Sequence, residues 1–209
     1  MRLSSIIIYV GVAIASAATL FSCSDGTTFT AREKQLIGTD TSAAIMPLYT
    51  IEEPTEAEFL RKVAVPLTAK DVASDIYRVL RDRMLSTVTN PENQGVGIAA
   101  PQVGISRQLI AVVRFDKEGA PFEFYPNAEI TFYSPEKKYG WEGCLSVPGQ
   151  RDTVLRSTSI VVSYNDEITF EPRTDTISGF TARIFQHEID HLKGILYIDY
   201  KESDFVPHN

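Results

Sequence analysis

The chain has 209 residues, 44% apolar and 22% charged, which suits one globular domain with a sizeable core and gives no reason to expect a second. Its formal net charge is -7 and no run of lysine or arginine stands out, so nucleic acid is not expected as a direct ligand. Two cysteines, Cys23 and Cys144, each sit in a context of their own, so neither is read as half of a disulfide.

Residues 1–23 read as a processing signal: Arg2 gives a positive start, residues 6–21 an apolar core, and Leu20-Phe21-Ser22-Cys23 a cleavage site ending in cysteine. The pattern resembles a bacterial lipoprotein leader. It implies a signal peptide removed at Cys23, lipid attachment there, and a cell-envelope protein held on a membrane by that anchor. An uncleaved anchor fits less well, because the apolar run is short for a bilayer and holds Gly11, Ser16 and Thr19. Residues 24–45, rich in small polar side chains, are expected to be a flexible tether, and residues 46–209 the folded domain. A translation start at Met46 would instead leave a cytoplasmic protein.

Within the domain, Thr68 followed three residues later by Asp71 has the form of a capping box. Val72, Ile76, Val79, Leu80 and Met84 then recur at helical spacing, so one helix is expected over residues 70–88, its stripe facing the core. In Gly95-Val96-Gly97-Ile98-Ala99-Ala100-Pro101-Gln102, two glycines and two alanines imply that something approaches the backbone closely. A phosphate loop is disfavoured, since no Lys-Ser or Lys-Thr pair follows. Residues 108–115, 122–133, 158–164 and 168–170 read as strands. Strands followed by one late helix argue for an α+β domain of mostly antiparallel sheet. Residues 141–149, containing Cys144, read as a glycine- and proline-bearing loop.

The late helix carries His187-Glu188-Ile189-Asp190-His191, an H-E-x-x-H pattern. Positions four apart return to one side of a helix, so His187 and His191 can grip one ion, and Glu188 can reach a water on it as general base. Ile184, Phe185, Ile189 and Leu192 supply the apolar stripe and Gly194 a stop. A catalytic site of this kind normally has a third protein ligand. Cys144 alone would more often be a small buried residue, but beside this helix a thiolate becomes a good candidate.

Together the three stretches resemble the peptide deformylases, whose blocks G-φ-G-φ-A-A-x-Q (φ apolar), E-G-C-L-S and Q-H-E-x-D-H match Gly95 to Gln102, Glu142 to Ser146 and Gln186 to His191 in order. The likeness extends over residues 58–200. It implies sheets packed around a C-terminal metal-binding helix, and a metal-dependent hydrolase that removes the formyl group from N-terminal formyl-methionine and releases formate. It implies Cys144, His187 and His191 as metal ligands, Glu188 as acid-base, and Gln102 with the Leu145 amide at the oxyanion. The implied metal is Fe2+, with Zn2+, Ni2+ or Co2+ as substitutes. An N-formylated peptide would pair along Gly97, with Val96 and Ile184 walling a methionine pocket and Leu145 and Tyr139 as weaker candidates. Gln186 and Asp190 would orient ligands, a solvated or structural role being the alternative for Asp190. Trp141 departs from the residue types common before E-G-C-L-S. The competing readings are an envelope metallopeptidase, which Cys144 and the Gln102 block disfavour, an amidase on another substrate, and a non-catalytic lipoprotein, which the intact Glu188 disfavours.

Overall fold

The computed structural model describes residues 27–38 and 44–201; the leader, Cys23 and His208 lie outside them. Helices α1 (Ala31–Ile37), α2 (Pro54–Leu60), α3 (Ala69–Val72) and α4 (Asp75–Thr89) come first. Strands β1 (Gly97–Ala99), β2 (Leu109–Val113), β3 (Phe122–Pro126), β4 (Glu129–Tyr133), β5 (Lys137–Cys144), β6 (Val147–Ser157), β7 (Ser159–Asn165) and β8 (Pro172–Ser178) follow, and α5 (Gly179–Leu192) closes the order before a 3-10 turn at Tyr197–Lys201. The sheets run β1-β2-β3, β4-β7-β8 and β5-β6, all strand pairs within them antiparallel, so the fold is α+β as expected.

The core is organised by β2, which is buried on both faces. Because side chains alternate along a strand, Leu109 and Ala111 join Leu80, Met84, Val88 and Ile98 on the α4 side, while Ile110 and Val112 join Ile160, Val162, Phe185 and Ile189 on the α5 side. Each such Leu or Ile contributes about 1.5–3 kcal/mol on burial. Eleven of the 14 residues of α5 are buried, so it is a central helix and not a surface one with two chance histidines.

Several elements differ from the sequence expectation. The helix expected over residues 70–88 is two helices: the Thr68–Asp71 capping box starts α3, but the Ser74 hydroxyl donates to Asp71 O and accepts from Tyr77 N–H, ending one helix and capping the next. The strand expected over residues 122–133 is divided at Asn127, whose φ of 55° turns the chain while its side-chain amide pairs with the backbone of Leu67. Residues 168–170 form a turn, because Asp166 Oδ1 accepts from the amides of Ile168 and Thr169. The expected loop at residues 141–149 belongs to the β5-β6 hairpin. Part of the stretch expected to be a tether is folded: α1 is capped by Thr30 and Glu33, and Phe29 and Ile37 are buried in the α4-side core.

Candidate active site

Three elements converge on a cleft of about 500 Å³. Residues 93–97, leading into β1, form one wall; the end of the β5-β6 hairpin, with Trp141, Gly143, Cys144, Leu145 and Arg151, forms another; α5 supplies Phe180, Arg183, Ile184, His187 and Glu188. Val96, Gly97, Gln102, Leu145 and Ile184 all line this cleft, whereas Tyr139 lies outside it. Trp141, 65% exposed, stands in its wall.

Cys144, His187 and His191 come from the hairpin and from successive turns of α5, and their donor atoms lie within 4.8 Å of one another. Cys144 Sγ is 3.2 Å from His191 Nε2. A soft thiolate and two imidazoles so grouped can hold one divalent cation. Burial opposes ionisation of the Cys144 thiol, but His191 and His187 outweigh it and hold the group well below the usual thiol range. His187 is likewise raised well above an ordinary histidine against its burial, by Cys144 and Glu142.

Glu142 is the functional neighbour that sequence reasoning passed over. Its Oε2 lies 2.9 Å from His187 Nδ1, which leaves Nε2 free to face the cation site. Arg156 donates to both oxygens of Glu142, and Arg183 Nη1 adds 2.7 Å to Oε1. Arg156 Nη1 continues to Asp190, which also accepts from Tyr200. Asp190 is thus linked to His187 through Arg156 and Glu142. The Gln186 side chain pairs with the backbone of Ser157, fastening α5 to β6. The signal available for Glu142 was a carboxylate two residues before a candidate ligand.

Glu188 is buried, and among the described residues its Oε2 has no hydrogen-bond partner. Burial pushes its carboxyl up to about 7, with His187 and His191 opposing the rise. What approaches the backbone in the glycine stretch is this side chain: a Cβ on Gly97 would stand 2.5 Å from Glu188 Oε1. Gln102 lies in the 3-10 turn Ala100–Val103. Its Oε1 accepts from Ala99 N–H, which turns Nε2 toward Cys144 Sγ at 3.5 Å and Ser146 Oγ at 3.4 Å.

The profile of the polypeptide deformylase family matches residues 45–204. A peptide deformylase of Picosynechococcus sp. is 39% identical over 162 residues, covering 73% of this chain and 82% of its own. The Met-Ala-Ser-bound class I type b peptide deformylase of Acinetobacter baumannii superposes with a TM-score of 0.67 at 36% identity, covering 76% of this chain and 99% of that one. The peptide deformylase of Thermotoga maritima gives 0.64 at 34% identity, over 76% and 98%. A half-buried cysteine sulfur and two imidazoles around one point, a buried carboxylate beside them, and agreement in both sequence and fold lead to one conclusion: the chain belongs to the polypeptide deformylase family.

Proposed function

We infer that this chain carries out the reaction of its family, hydrolysis of the N-formyl group of formyl-methionyl peptides with release of formate. The observation that carries this reading is buried Glu188, one oxygen unpartnered, beside the Cys144, His187 and His191 donors in an open cleft. Those three side chains would hold the ion, which supplies Lewis acidity and a water of lowered pKa. The donor set suits Fe2+, the metal the family resemblance implies, and is compatible with Zn2+, Ni2+ and Co2+. Buried beside the ion site with one oxygen open, Glu188 can take a proton from the attacking water and return it to the leaving amine. Gln102 Nε2 and the Leu145 N–H are the donors for the formyl oxygen as it gains charge.

A peptide substrate is supported by the Met-Ala-Ser bound to the Acinetobacter relative. β1 is an edge strand, so an extended peptide can pair along Gly97, with Val96 and Ile184 beside the methionine side chain. The leader-like residues 1–23 support lipid attachment at Cys23 and a cell-envelope address; among the described residues, no helix is long and apolar enough to cross a membrane. A chain started at Met46 would be cytoplasmic and would leave buried Arg107 without its partner Glu33. The mass of the mature N-terminus separates these forms. Activity is tested by anaerobic purification and formate release from formyl-Met-Ala-Ser: turnover is expected there and not with the N-acetyl or free-amine peptide. Preference for the acetylated peptide or for an internal bond would overturn the reading.

A further inference from the structure

Residues 27–38 lie outside the stretch that matches the family, yet they are built into this domain. Arg107, 3% exposed, donates through Nε to Glu33 Oε1 at 2.9 Å and through Nη2 to Glu33 Oε2 at 2.8 Å. It also donates to the hydroxyl and carbonyl of Thr28, and its guanidinium lies 5.0 Å over the Phe29 ring. Thr28 in turn donates through N–H and Oγ1 to the two oxygens of Asp71. The far end of α1 is held by Arg83, which donates to the carbonyls of Leu36 and Ile37.

The arm meets the Gln102 turn by two routes. Arg107 ends the short segment that leaves this turn, where Ile105 N–H returns to Ala100 O. From the other side, Arg32 Nη2 reaches Tyr49 Oη at 3.5 Å. The Tyr49 ring packs so closely on Gly104 that a Cβ there would stand 2.6 Å from Tyr49 Cζ. Tyr49 N–H donates to Gln102 O at 2.8 Å, and Ile51 N–H donates to Ser146 O at 3.0 Å. The strap over Tyr49 and Ile51 thus ties the Gln102 backbone to the loop that follows Cys144. We propose that residues 27–38 are a positioning clamp for the catalytic centre: docked through Glu33 and Arg107, the arm fixes the turn and strap that hold Gln102 opposite Cys144.

The kinetic part of this proposal rests on the deformylase reading; its structural part does not. The test compares full-length wild type with Glu33→Gln and the milder Thr28→Val, measuring formate release, bound metal and amide hydrogen exchange. A clamp predicts that kcat falls by about threefold or more. KM and metal content stay unchanged, and exchange rises both in the arm and across residues 100–108. An unchanged kcat, or faster exchange confined to residues 27–38 with only a lower melting temperature, would reduce the arm to a stabilising appendage and overturn the proposal. If wild type released no formate, the function reading would fail, and the spread of exchange beyond the arm would still decide the coupling.

Discussion

Glu33 and Glu188 are both buried carboxylates, and their surroundings drive them in opposite directions. Burial would raise Glu33, but Arg107 and the Thr30 amide outweigh it and hold the group below the ordinary carboxylate range. Asp71 beside it behaves alike, its burial outweighed by hydrogen bonds from Thr68 and Thr28. In the catalytic centre Glu142 is also fully engaged, by Arg156, Arg183 and His187. Glu188 is the exception, with one oxygen unpartnered. A buried carboxylate costs stability unless its lone pairs are filled. The arm cluster is satisfied and serves attachment; the centre keeps one acceptor open, and that is where a proton can be handled.

The sharpest way to break this contrast is to neutralise the open carboxylate. Glu188→Gln is expected to lower kcat by about 10²–10⁴-fold while metal content is retained, measured by formate release beside elemental analysis. Equal loss of metal would show that Glu188 acts in binding the ion. Gln102→Leu removes the donor proposed for the formyl oxygen, with an expected loss of about 10²–10³-fold in kcat and a small change in KM. A rise in KM at constant kcat would assign Gln102 to substrate binding instead. Glu142→Gln weakens the orientation of His187 and should cost about 10–100-fold in metal affinity or activity, read by chelator competition. Unchanged affinity would confine Glu142 to bracing β5 against α5.

The smallest effect concerns the satisfied cluster. Glu33 has a lowered pKa in the folded chain, so its stabilisation is complete above its unfolded value, about 4.3, and is lost as pH falls further. Asp71 acts with the same sign, and Arg107 is the cation facing Glu33. Denaturant titrations from about pH 5 to pH 3 should show wild type losing stability faster than Glu33→Gln. Parallel slopes would mean that the Glu33 carboxylate gains nothing from Arg107.

The sequence was most legible where one chemical requirement dictates spacing. His187, Glu188 and His191 could be placed from periodicity alone, and the crowding at Gly97 from its missing side chain. Cys144 became a candidate only beside the H-E-x-x-H helix, because one cysteine in an apparent loop carries no spacing. The β5-β6 hairpin was missed because its pattern is inverted: Tyr139 and Trp141 face solvent, while the buried Glu142 and Arg156 pair with each other. The break between α3 and α4 lay in a single hydroxyl, that of Ser74, inside a continuous apolar stripe. The docked arm was hidden by composition: threonines and charges that suggest a tether are here the partners of Arg107 and Asp71.

The convergence of Cys144, His187 and His191 on one cation is tested most directly by X-ray absorption at the metal edge of the anaerobically purified protein. One sulfur and two imidazole nitrogens per metal, with the sulfur lost in Cys144→Ser, is the predicted result. A bound metal with no sulfur neighbour in wild type would contradict the account.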